Sequence, residues 1–142
     1  MRLAPSKRGV PVIVANDLGM VSALAVAGGR VAVCSHDQGR IMNLTGGQPP
    51  VRFGDTHGEF EVVALSPDGS LVATTGRSGV ITVWDANDEH PMFSFRDQEV
   101  TSLLIRSKPR RLISGHCTGT LLIWDLDEVA GAITKFKRRE DD

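Results

Sequence analysis

An ungapped period of forty residues constrains the fold of this chain more than any other feature. Gly39, Gly79 and Gly119 lie forty apart and open the phrases GRIMNL, GVITVWD and GTLLIWD. Five residues after each glycine stand Leu44, Trp84 and Trp124. Ala25, Leu65 and Ile105 keep the same interval, as do Ala32, Val72 and Leu112. A further column holds Ile13, Phe53, Phe93 and Ile133. Self-similarity at such a period marks a chain that builds its core by stacking copies of one supersecondary unit, because a single unit cannot bury its own apolar face.

Each period holds four short runs rich in Val, Ile, Leu, Thr and Phe. In the middle copy they are PPVRFG (49–54), FEVVALS (60–66), SLVATTG (70–76) and VITVWD (80–85). Pro67-Asp68-Gly69 separates the second run from the third, and Gly79 the third from the fourth, with glycine supplying the positive φ of a tight turn. Fifteen glycines and seven prolines punctuate the rest of the 142 residues in the same way, and no helical periodicity competes before the C-terminus. Four strands per forty-odd residues is one blade of a β-propeller. The expected fold class is therefore all-β, with three four-stranded blades over residues 10–136, a flexible N-terminus over 1–9 and a charged tail over 137–142.

These residues also carry a family resemblance. FEVVALSPDGSLVATTGRSGVITVWD (60–85) closely resembles the core of a WD repeat, and VTSLLIRSKPRRLISGHCTGTLLIWD (100–125) does so almost as well. Both end in the dipeptide Trp-Asp, at Trp84-Asp85 and Trp124-Asp125. MVSALAVAGGRVAVCSHDQGRIMNL (20–44) keeps the spacing but lacks the tryptophan and the aspartate. The resemblance covers roughly residues 10 to 126 and implies a WD-type propeller that acts as a protein-interaction scaffold. Thr74 and Ser114 stand ten residues before Trp84 and Trp124, placed to accept the indole N–H from a neighbouring strand. The first copy has Cys34 and Leu44 in those columns. Exchanging both partners for apolar groups strands no buried donor or acceptor. The family's usual glycine-histidine pair is missing, with Thr56 and Arg96 near its place, and Gln38, Ser78 and Thr118 stand where an aspartate is usual. An incomplete hydrogen-bond network follows as the expectation.

Propellers close with about four to eight blades, and this sequence encodes three. An open arc leaves an apolar face at each end, larger than soluble monomers expose. Ring completion by association is therefore expected, as a head-to-tail dimer of six blades or a trimer of nine, or as a piece of a larger WD-repeat scaffold. Val10, Val12, Ile13 and Val14, in VPVIV (10–14), precede the first blade and are the expected ring-closure strand. AGAITKFK (130–137) competes for that role as a strand, while Val129, Ile133 and Phe136 at i, i+4 and i+7 equally suit a short helix.

Chemistry is sparse. Sixteen basic and seventeen acidic residues leave a net charge of −1, so no overall basic footprint favours nucleic acid or an anionic membrane. KFKRR (135–139) is followed by EDD and reads as a solvated tail. No run is long and apolar enough for a membrane span or a signal peptide, which points to the cytoplasm. Cys34 and Cys117 fit neither a disulfide framework nor a metal motif, and Cys34 is expected to be a buried, inert thiol. His36, His57, His90 and His116 show no metal-ligand spacing. With no nucleophile elbow or phosphate loop, neither an enzyme nor a cofactor is expected. What remains is the loop face of the propeller, with His36, Asp37, Asp55, His57, Arg77, Arg96, Asp97 and His116 as the candidate partner-binding set. A small-ligand propeller is the alternative. The absence of tyrosine, and two tryptophans that both occupy structural columns, leave few stacking platforms for it.

Overall fold

The structure, a computed structural model, describes residues 20–35, 39–44, 50–53, 60–76, 78–88 and 90–132. The first sheet is an antiparallel meander of β1 (Val21–Ala27), β2 (Arg30–Ser35), β3 (Gly39–Asn43) and β4 (Val51–Phe53). The second repeats it with β5 (Phe60–Leu65), β6 (Leu71–Gly76), β7 (Val80–Asp85) and β8 (Pro91–Arg96). The third comprises β9 (Val100–Ser107), β10 (Arg110–His116) and β11 (Leu121–Asp125).

The third sheet thus has three strands among the described residues, where four were expected, because the chain turns from β11 straight into a helix over residues 126–132. Asp125 starts that helix. Its carboxylate accepts the N–H of Asp127 at 3.0 Å and of Glu128 at 3.2 Å, two of the donors that a helix N-terminus leaves open. Leu126 is fully buried and anchors the turn in the core. The segment 130–137, open from sequence between strand and helix, is helical over 130–132, and its remainder lies outside the described residues.

Successive side chains along each strand point to opposite faces of its sheet. The front face of the second sheet, with Val63, Leu65, Val72 and Trp84, packs against Ala32, Cys34, Ile41 and Phe53 of the first. Its back face, with Ala64, Ala73, Ile81 and Val83, packs against Ile105 and Leu112 of the third, with Leu103 and Trp124 alongside. Front meets back at each seam, the arrangement of consecutive propeller blades. Trp84 Nε1 donates to Thr74 Oγ1 at 3.0 Å, and Trp124 Nε1 to Ser114 Oγ at 3.1 Å, as the spacing predicts.

The first blade departs from the forty-residue columns. Gly28-Gly29 closes its β1–β2 hairpin as a two-residue turn between the paired Ala27 and Arg30. The second blade instead places four residues between Ser66 and Leu71, whose backbones bond at 2.9 Å. Ala27 therefore matches Ser66 and Arg30 matches Leu71, each one residue off the period, and a one-residue offset turns every side chain to the other face. Leu44 N donates to Gly29 O at 2.9 Å just as Ala86 N donates to Ser70 O at 2.9 Å. Leu44 is thus the counterpart of Ala86, and Met42 is the counterpart of Trp84. Met42 pairs with Val31 across the strands as Trp84 pairs with Val72. Leu44 and Cys34 do not fill the indole and hydroxyl columns. Met42 and Val33 do, and both are again apolar. Cys34 turns instead into the seam with the second sheet, where burial pushes its thiol up to about 12 and keeps it inert.

Candidate interaction surfaces

Of the eight loop-face candidates, His36, Asp37, Asp55, His57 and Arg77 lie outside the described residues. So do Val10, Val12, Ile13 and Val14 of the expected ring-closure strand. Arg96 stands exposed at the end of β8. Asp97 and His116 meet. His116 Nε2 lies 2.7 Å from one Asp97 carboxylate oxygen, and Ser114 Oγ donates to the other at 2.8 Å. His116 Nδ1 lies 3.1 Å from the carbonyl of Thr120. Because Trp124 donates to Ser114 in turn, one chain of hydrogen bonds runs from indole to imidazole. The expectation of an incomplete network is thereby overturned in the third blade. An acid ahead of β9 and a histidine at the end of β10 exchange the places in which each was sought. Ser114 and His116, two apart on one strand, project from the same face toward Asp97. That two-residue spacing was the available signal.

With side chains only 6% and 8% exposed, His116 and Asp97 brace the blade rather than stand on its face. A carboxylate and a carbonyl can only accept, so the doubly protonated imidazole is the form that satisfies both contacts. The hydrogen bond to Asp97, reinforced by that to the Thr120 carbonyl, holds the His116 pKa above the ordinary histidine value. The charged imidazole is thus favoured by the folded state. Its stabilisation is complete below the unfolded pKa and is lost as pH rises through the elevated folded value. The melting temperature should fall as pH is raised from about 6.5, and His116→Gln should flatten that fall. An unchanged slope in the variant would remove His116 from this role.

At the opposite, turn end, side chains tie the blades together. The Asp68 carboxylate accepts from Ser107 at 2.7 Å, from the hydroxyls of Ser66 and Ser70 at 2.7 Å each, and from Ser70 N at 3.1 Å. These donors, Ser107 first, hold it well below the usual carboxylate range. Arg30 donates to Gly69 O at 2.9 Å and to Asn87 Oδ1 at 3.0 Å, clasping the first blade to the second.

The two outer faces have no counterpart among the described residues. On the front of the first sheet, Leu24 is 62% and Val26 60% exposed. On the back of the third, Leu104 is 53%, Leu121 69% and Ile123 67% exposed. β11 is also an edge strand, since it pairs with β10 alone among the described strands. A strand edge with open backbone groups is a template for pairing. No group of three or more metal-ligating side chains occurs among the described residues, and none of their helices is long and apolar enough to cross a membrane.

Comparison with known proteins agrees with this architecture. The WD domain, G-beta repeat family matches residues 49–85. The chain is 31% identical over 75 residues to the cross-pathway control WD-repeat protein 2 of Flammulina velutipes, covering 53% of this chain and 24% of that protein. It is 30% identical over 71 residues to the small ribosomal subunit protein RACK1 of Neurospora crassa, covering 50% of this chain and 22% of that one. The chain thus spans about a quarter of the length of these curated relatives. Among solved structures it is similar to that of U3-55K, with a TM-score of 0.64 at 18% identity over 80% of this chain and 38% of that one. The structure of the RRP9 WD40 repeats is similar in the same way, with a TM-score of 0.61 at 18% identity, covering 80% of this chain and 37% of that one.

Proposed function

We propose that this chain, whose residues 49–85 match the WD domain, G-beta repeat family, is a non-catalytic protein-interaction scaffold that completes its propeller by binding a second copy of itself head to tail. The observation behind this reading is the pair of apolar outer faces on an arc of three blades. Leu24 and Val26 at one end, and Leu104, Leu121 and Ile123 at the other, are too many exposed aliphatic side chains to leave in water. A head-to-tail contact must close or it grows into filaments, and six blades fall within the usual range for closure. Val10, Val12, Ile13 and Val14 of one copy would supply the fourth strand along the β11 edge of the other. The loop face, with Arg96 exposed on it, would remain for other proteins, and a cytoplasmic setting follows from the same reading.

Co-expression of a tagged and an untagged copy tests the proposal. Stoichiometric retention of the untagged copy on the affinity resin is expected. A tagged chain recovered alone would contradict self-association.

A second reading has its own support. The chain spans about a quarter of its relatives' length, which fits blades from a different WD-repeat chain completing the ring. Recovery of a tagged chain with no untagged copy would favour it.

A further inference from the structure

We propose that the row Leu104, Ile113 and Ile123 on the third sheet docks against the row Val26, Val31 and Met42 on the first sheet of a second copy, and that the lost tryptophan of the first blade is one half of this seam. The proposal rests on the reading of self-association above and identifies the surfaces that carry it.

The seams inside the chain set the pattern. Back rows, read across three paired strands, are Ala25, Ala32 and Ile41 in the first sheet and Ala64, Ala73 and Val83 in the second. Each meets a front row that ends in an indole: Leu65, Val72 and Trp84, then Ile105, Leu112 and Trp124. Two alanines thus make room for a large front row. The outer faces invert both halves. The back row of the third sheet is Leu104, Ile113 and Ile123, in which two larger aliphatics replace the two alanines. The front row of the first sheet is Val26, Val31 and Met42, in which the indole is gone.

Interiors pack at nearly constant density, so volume added on one side of a seam must be removed from the other. The larger back row does not follow from packing within the chain, since Leu104 and Ile123 stand exposed. Together the two inversions move bulk from the front row to the back row, in the direction that one further seam of the kind the chain already makes twice would require. Both halves are written into a single sequence, which identifies the occupant as a second copy. Val31 is already covered within the chain, so Leu24, Val26 and the half-buried Met42 are the part of the front face offered to it.

Compensating variants test the seam. Met42→Trp overfills it, and L104A/I113A/I123V empties it, so each alone should weaken self-association by about 30-fold or more. Combined, they rebuild the pattern of the internal seams and should return to within about threefold of the parent. Sedimentation equilibrium gives the dissociation constants, and far-ultraviolet circular dichroism confirms that each chain is folded. If the parent assembles but the combined variant is no tighter than the weaker of its components, or if neither component weakens the parent, this seam is wrong and self-association stands. A parent that stays monomeric throughout, including one that binds only blades of another protein, overturns both.

Discussion

Trp84→Ala is expected to destabilise the chain by about 3–5 kcal/mol, the range for truncating a large aromatic in a packed core. Trp84 is 6% exposed, with its ring 5.8 Å from that of Phe53 across the seam between first and second sheets. Alanine would leave a cavity between two blades that cannot collapse without moving a whole sheet. It would also strand the fully buried hydroxyl of Thr74, which accepts the indole N–H. Thr74→Val in the same background should recover part of the loss, because it removes the orphaned hydroxyl. Equilibrium denaturation in urea measures both. A Trp84→Ala chain within about 1 kcal/mol of the parent would mean that this column is not the repeat core.

Deleting residues 1–15 should abolish assembly at micromolar concentration and lower solubility, whereas removing 137–142 should change neither. β11 has a free edge among the described strands, and Leu121 and Ile123 on it are exposed. A valine-rich segment added there would satisfy its backbone donors and acceptors and cover those side chains. VPVIV stands before β1 in the sequence as β4 stands before β5, which gives it the place of a fourth strand. Size-exclusion chromatography and thermal melts of the two truncations give the answer. If the N-terminal deletion keeps the parent's elution volume and melting temperature, VPVIV does not close the ring.

Much of the fold was legible because the repeat preserves both length and chemistry. Thr74 and Trp84, and Ser114 and Trp124, meet as their ten-residue spacing predicts. The first blade was legible in length but not in phase. Its two-residue turn at Gly28-Gly29 and the four-residue turn of the second blade fit the same forty-residue frame. Counting columns therefore cannot see that Met42, not Leu44, faces the way of Trp84. Hydrogen-bond type fixes the phase, and it is a property of the folded hairpin. Asp97 and His116 were singled out as polar loop residues, but not as partners, because their roles are exchanged between the two loops. The end of the third sheet was ambiguous for a different reason. Asp125 closes a Trp-Asp dipeptide and also caps a helix, and Leu126 is apolar enough for either continuation.

The mass of the chain in solution tests ring completion most directly. Multi-angle light scattering at micromolar concentration should give about twice or three times the 15.3 kDa of one chain, monodisperse and without larger filaments. A monodisperse species of 15.3 kDa would contradict it.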